Sequence, residues 1–262
     1  HRRDEYPAST PIGGASKGLG LGCAKALAKA GHALVMCARD EEALEEAARE
    51  VRALAKADVI THACDLSKKA DIEKLQERLQ KENITIDIFV NNVGGPPTGT
   101  VTTITELQWE TGLDLLFRST VRLYAMVLPG MRERGWGRII NILSTTAIEP
   151  TPALAVSSVL RAGLASYAKL TAWVVARDGV TVNSIMPGGF LTARTEALMA
   201  DSAVREKKSI DEIRAQVEST LPLGRFMDPI ELGYLVAYLA SEEASGITGT
   251  LIPIDGGSKK SL

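Results

Sequence analysis

Short apolar runs alternate along the chain with longer stretches whose apolar positions recur at helical spacing. The runs Ala33–Ala38, Ile86–Val90, Arg138–Leu143, Val180–Ile185 and Thr250–Ile254 read as strands. Ala8–Ile12 is the candidate for a further strand at the start. Between the strands, helices are predicted over about 18–30, 40–56, 68–82, 106–134, 154–178 and 228–241. Glu41 to Ala48 is dense in strong helix formers. Strand and helix in regular alternation predict a parallel sheet covered on both faces. Several strands are apolar almost throughout, which suits burial from both sides. Residues 192–227 carry no clear strand and read as a helical excursion before the last helix. No low-complexity linker or internal repeat interrupts the pattern, so residues 1–262 are expected to form one domain.

Composition narrows the picture. Lys plus Arg is 30 against Asp plus Glu 32, a net charge of −2. No basic excess points to nucleic acid. The longest apolar runs fall well short of a membrane span. Three cysteines (Cys23, Cys37, Cys64) make an odd set without a C-x-x-C pair, which argues against a disulfide framework or cysteine zinc site. Three histidines (His1, His32, His62) are too scattered for a histidine metal site, so no metal is expected. The opening residues have no apolar core of a secretory signal, and residues 1–7 are expected to be disordered. With free cysteines, this points to the cytoplasm. Pro11 is the awkward residue of the first strand, since it removes a backbone donor where a central strand needs one.

Candidate chemistry begins directly after that strand. Gly13-Gly14-Ala15-Ser16-Lys17-Gly18-Leu19-Gly20-Leu21-Gly22 opens the helix at 18–30. Glycines let a backbone turn tightly and approach an anion, and a helix N-terminus offers it free N–H groups and a positive dipole end. A strand, a glycine loop and an Ala-rich helix in a β/α chain together read as a nucleotide site.

Four ordered motifs then identify a resemblance covering roughly residues 8–257. Gly13-Gly14, Gly18 and Gly20 match the Thr-Gly-x-x-x-Gly-x-Gly loop of the short-chain dehydrogenase/reductase family, with Gly13 in place of the threonine. Asn91-Asn92-Val93-Gly94 matches its Asn-Asn-Ala-Gly motif. Pro187-Gly188 with Thr192, and Asp255-Gly256-Gly257, match the two later motifs. The chain resembles that family's 3-oxoacyl-carrier-protein-reductase-like branch. The resemblance implies an α/β fold, a doubly wound (Rossmann-type) parallel sheet of about seven strands with helices on both faces. It implies a nicotinamide cofactor held at Gly14, Ser16, Lys17, Gly18, Leu19 and Gly20. Asp65 and Leu66 would lie beside the adenine, and Asn91, Val93 and Gly94 would line the adenosine ribose. Pro187, Gly188 and Thr192 would border the nicotinamide. A homo-oligomer, tetramer or dimer, is also implied. It would be built on the helices at 106–134 and 154–178 and on the last helix and strand. Ala153, Ala155, Ala162, Ala165, Ala168 and Ala172 suit close helix packing there or inside the monomer.

Charge then selects among cofactors. An acidic residue after the second strand usually holds the 2′-hydroxyl of NAD, whereas a basic one meets the 2′-phosphate of NADP. Arg39 follows Cys37-Ala38 with a guanidinium suited to phosphate, and Lys17 sits at a second basic position typical of the family's NADP users. NADP(H) is therefore expected over NAD(H), although Asp40 lies one place further on.

The catalytic positions depart from the family pattern. The family resembles a four-residue site: an asparagine, a serine, then a tyrosine thirteen residues on and a lysine four further. Ser144 occupies the serine position, but Ser157 stands for the tyrosine, Arg161 for the lysine and Leu116 for the asparagine. Ser157 and Arg161, four apart on a helix, can share a face. Arg161 can hold the nicotinamide ribose or grip a carboxylate on the substrate. Two hydroxyls and a guanidinium can stabilise a developing oxyanion, though serine is a poorer proton donor than tyrosine.

The expectation is an atypical NADP(H)-dependent oxidoreductase acting on a small carbonyl or alcohol through Ser144, Ser157 and Arg161. The alternative is a nucleotide-binding member without simple redox activity, either a regulatory module or a lyase- or isomerase-like enzyme. Tyr167 reads as packing or interface. Gly94–Gly99 should form a shaped rim, and residues 190–220, with Phe190, Leu191, Leu198 and Met199, are either a substrate lid or an ordinary surface helix.

Overall fold

A computed structural model describes residues 9–261. The expectations for residues 1–7, Tyr6 among them, lie outside these residues. Seven strands form one parallel sheet: β1 (Ser9–Ile12), β2 (Ala33–Ala38), β3 (Val59–Ala63), β4 (Ile88–Asn91), β5 (Gly137–Ile142), β6 (Val180–Pro187) and β7 (Leu251–Ile254). Their order is β3-β2-β1-β4-β5-β6-β7. The order reverses between β1 and β4, and a cleft opens there at the strand C-termini. Strands β2, β4 and β5 are buried along their whole length, as their apolar runs require.

Strand β3 is absent from the sequence expectations. Val59-Ile60-Thr61-His62-Ala63 mixes polar and apolar residues because it is the sheet edge, and only Val59 is fully buried. Pro11 finds its place in the pairing. Strand β1 pairs with β2 at four positions but with β4 only at Ile12↔Val90. The amides of Ser9 and Gly13 donate toward the β4 side, to Thr85 and Val90. The intervening Pro11 nitrogen faces the same way, so its missing donor falls on the sparser seam.

Helices α1 (Gly18–Ala30), α2 (Glu41–Arg52) and α3 (Lys69–Lys81) match their expected ranges closely. Asp40 caps α2 through Ala43 N–H, and Gly31, at φ +94°, ends α1. The stretch at 106–134 is not one helix. It divides into α4 (Glu106–Gly112), a π-helical segment Leu113–Arg118 and α5 (Ser119–Arg134). Thr120 Oγ1 bonds the displaced carbonyl of Leu116 at 2.7 Å. Helix α6 spans Ala155–Val175.

The excursion at 192–227 holds α7 (Ala193–Glu206) and α8 (Ile210–Glu218). These two close a small core of their own from Met199, Ala203, Ile213 and Phe226. Phe190 belongs to the main core, and Leu198 points to solvent. Of the apolar set singled out in the sequence, Met199 and Leu191 thus pack in the small core, Phe190 in the main core, and Leu198 is exposed. Helix α9 (Pro229–Leu239) starts at a capping box of Asp228 and Glu231 with proline in the first turn. No helix among the described residues is long and apolar enough to cross a membrane.

Candidate active site

The nucleotide end is built by backbone. Strand β1 runs into Gly13 and Gly14, and Gly14 and Gly18 take φ of +58° and +54°. A methyl group at Gly20 would drive into the carbonyl of Gly14, so the loop folds back on the first turn of α1 only because no side chain is there. Asn92 Nδ2 pins the loop by donating to Gly13 O at 2.9 Å, and Ala15 N–H donates to Cys37 O at 3.0 Å. Lys17 occupies the N-cap of α1 without a side-chain cap, and the first turn holds no acidic residue. The end of α1 therefore keeps unsatisfied amides and an uncompensated positive dipole. Open space surrounds Gly94, with no heavy atom within 4 Å of where a Cβ would stand. This cradle fits the pyrophosphate and ribose of a dinucleotide.

Around the cradle, Lys17 and Arg39 are exposed. Asp40 is committed elsewhere: its Oδ1 accepts from Ala43 N–H at 3.1 Å as the cap of α2. Asp65 holds its own turn, accepting from the amide and hydroxyl of Ser67 at 3.0 and 2.7 Å. Leu66 lies against Gly13. Asn91 does not present its side chain to a ribose. It is buried, and its amide nitrogen donates to Thr120 and Asn141, both at 3.0 Å, so it ties β4 to β5 and α5. Thr192 caps α7 and lies over Gly18 with its methyl group. Pro187 ends β6, and Gly188 N–H donates to Ile254 O at 3.1 Å, which holds the turn against Asp255.

The other wall is made by the end of β5 and the first turns of α6. Ser144 is half-buried, and its Oγ accepts from Thr146 N–H at 3.2 Å. Ser157 Oγ lies 3.3 Å from Thr146 Oγ1 and accepts from Arg161 Nε at 3.2 Å. Arg161 Nη1 donates to the carbonyls of Ile142 and Leu143 at 3.0 and 2.7 Å. The four-residue spacing of Ser157 and Arg161 thus becomes a direct contact, as their shared helix face predicts. Burial, with a smaller contribution from the Arg194 guanidinium, lowers Arg161 to about 10. It remains cationic at neutral pH. Leu116 is fully buried in the π-helical segment and offers no polar side chain to the cleft.

Comparison with known proteins identifies the family. Residues 14–259 match the family model described as enoyl-(acyl carrier protein) reductase. The D-β-hydroxybutyrate dehydrogenase of Rhizobium meliloti is 32% identical over 253 residues, 94% of this chain and 96% of that one. That of Cupriavidus necator is 30% identical over 254 residues, 94% of this chain and 95% of the relative. The crystal structure of L-sorbose reductase from Gluconobacter frateurii, complexed with NADPH and L-sorbose, superposes with a TM-score of 0.93. It is 30% identical and covers 98% of both chains. The chain belongs to the short-chain dehydrogenase/reductase family of oxidoreductases.

Within a short-chain dehydrogenase/reductase frame, the structure brings Ser144, Ser157 and Arg161 to one edge of the sheet. Two neighbours escaped the sequence reading. Thr146 links the two serines, its backbone N–H donating to Ser144 Oγ and its hydroxyl lying beside Ser157 Oγ, and its only signal was its place two residues after Ser144. Arg194, in the first turn of α7, lies against Gly95 and acts electrostatically on Arg161. It follows Thr192 by two residues, but nothing in the sequence says which way it turns. Tyr167 packs on Tyr124 at 5.3 Å and on Phe117 at 6.1 Å between ring centroids, in keeping with a packing role.

Proposed function

We propose that this family member is an NADP(H)-dependent oxidoreductase that interconverts a small carbonyl and its alcohol. The observation that carries the reading is the hydrogen-bonded set Thr146–Ser157–Arg161 at the C-terminal edge of β5, beside the uncapped glycine cradle of α1. Lys17 and Arg39 hold the 2′-phosphate. Asp40, occupied in capping α2, does not compete for a 2′-hydroxyl. The NADPH complex of L-sorbose reductase supports the same cofactor.

When bound, the reduced nicotinamide supplies a hydride to the carbonyl carbon. The hydroxyls of Ser144 and Ser157 donate to the substrate oxygen as negative charge develops on it. Arg161 stabilises that charge through Ser157 and keeps the hydroxyl oriented from Nε. Its Nη1 bonds to Ile142 and Leu143 fix the guanidinium on the strand end. The proton completing the alcohol is supplied by solvent, with the Ser157 hydroxyl, held between Thr146 and Arg161, next to the oxygen. Without a tyrosine, this transfer is the weak step of the design.

The non-redox alternative draws on the same Arg161 bonds, because a guanidinium that holds two strand-end carbonyls has a structural use without catalysis. Self-association is also part of the proposed picture. Val159, Leu170, Trp173 and Val174 on α6, Tyr234 and Tyr238 on α9, and Leu251 on β7 are all exposed. These are the elements expected at an interface between copies.

The cofactor reading is tested by calorimetry with NADPH and NADH. Micromolar NADPH binding is expected, with NADH much weaker. Arg39→Ala should remove about tenfold of the NADPH preference. Failure of both nucleotides to bind would move the assignment to a non-redox role.

A further inference from the structure

Two arginines border this cleft, Arg161 on α6 and Arg194 in the first turn of α7, and no acidic side chain pairs with either of them among the described residues. Arg161 spends Nε on Ser157 and Nη1 on two carbonyls, while Nη2 makes no hydrogen bond among the described residues. Arg194 lies directly against the backbone of Gly95, and a methyl group on that glycine would displace its Nη1. Among the described residues Arg194 forms no hydrogen bond or ion pair. The charge it acts on is Arg161.

We propose that Arg194 and the free edge of Arg161 clasp a carboxylate on the substrate, so that the chain acts on a short oxo acid and the corresponding hydroxy acid. This rests on the oxidoreductase reading above and names its substrate class. Like charges facing each other in a partly desolvated cleft repel, and an anion between them reverses the sign of the interaction. Guanidinium edges match carboxylates in geometry. The contact of Arg161 with Ser157 sets the chain length. A carboxylate on Nη2 stands close to an oxygen bonded by Ser157, so acid and carbonyl must be near neighbours in the substrate.

Gly95 directly follows Gly94 of the cradle, so a phosphate of the cofactor is the competing source of the anion, and the test below separates the two. Thr192 faces Gly18 and the pyrophosphate cradle. Arg194, two residues on and inside the first turn of α7, lies against Gly95 instead. Gly95 has the role of leaving room for the guanidinium over the rim.

The test compares acetoacetate with its uncharged methyl ester as substrates in the presence of NADPH, for the wild type and for Arg194→Gln. The wild type should prefer the acid. In the variant the acid-to-ester ratio of kcat/KM should fall by about tenfold, mostly through the KM of the acid. Arg194→Lys should recover part of it. Equal use of acid and ester by the wild type would overturn the clasp and leave the oxidoreductase reading standing. So would a variant whose NADPH affinity falls while its acid-to-ester ratio holds, which would assign the arginine to the cofactor. If NADPH does not bind at all, the oxidoreductase reading fails, and the clasp is judged by titrating the protein with acetoacetate alone. Binding weakened by Arg194→Gln would sustain it. Absent or unchanged binding would sink it.

Discussion

The two halves of the cleft obey the family pattern to different degrees. On the β1–α1 side, backbone does the work: glycines, free amides and the pin from Asn92 to Gly13. On the β5–α6 side, side chains should do the work, and at three of the four positions that the resemblance reads as catalytic the chain carries Leu116, Ser157 and Arg161. Yet the backbone there keeps a special shape. The segment Leu113–Arg118 is π-helical and carries Leu116, at the position that the resemblance gives to an asparagine. Arg161 holds the carbonyls of Ile142 and Leu143 from the lysine position. A site made by main chain tolerates few substitutions because any Cβ collides. A site made by side chains can exchange its chemistry while its scaffold stays.

The strongest challenge to this contrast is Gly20→Val. The added side chain must push into Gly14, and NADPH affinity is expected to fall by more than about a hundredfold in calorimetry. Retained binding would show that the loop is not the cradle. Next is Ser157→Ala, which removes one donor at the developing oxyanion. Its kcat for carbonyl reduction should drop on the order of a hundredfold with NADPH binding intact. The double variant Ser157→Tyr with Arg161→Lys sharpens the same point. Redox activity found only in that variant would favour the non-redox reading of the natural chain. The smallest expected effect is structural. Arg161→Leu leaves two buried strand-end carbonyls without donors, and urea unfolding should show a loss of about 1–3 kcal/mol. No loss would mean that water replaces the guanidinium at low cost and that the arginine is held for function alone.

Much of the fold was legible in local pattern. The strands Ala33–Ala38 and Gly137–Ile142 are buried on both faces, so they appear as unbroken apolar runs. Strand Val59–Ala63 was not legible because an edge strand need not be apolar throughout. The π-helical break was hidden as well, since its hydrogen-bond shift leaves helical periodicity nearly intact. In the site, the glycine loop could be placed by its position after the first strand, and Ser157 and Arg161 by the resemblance, with their four-residue spacing giving the shared face. Thr146 and Arg194 could not, because they meet their partners across different elements.

The sequence by itself determined the parallel α/β architecture, the glycine loop after the first strand and the presence of Ser157 and Arg161 four residues apart on one helix. These depend on periodicity, glycine placement and residue identity, all local along the chain. Only the tertiary structure decided that Pro11 faces the thinly paired seam, that Asn91 turns into the core and that Asp40 is spent on a helix cap. It alone brought Arg194 onto Gly95 within electrostatic reach of Arg161. Side-chain direction and long-range contact are set by packing between distant segments, and no spacing rule along one chain encodes them.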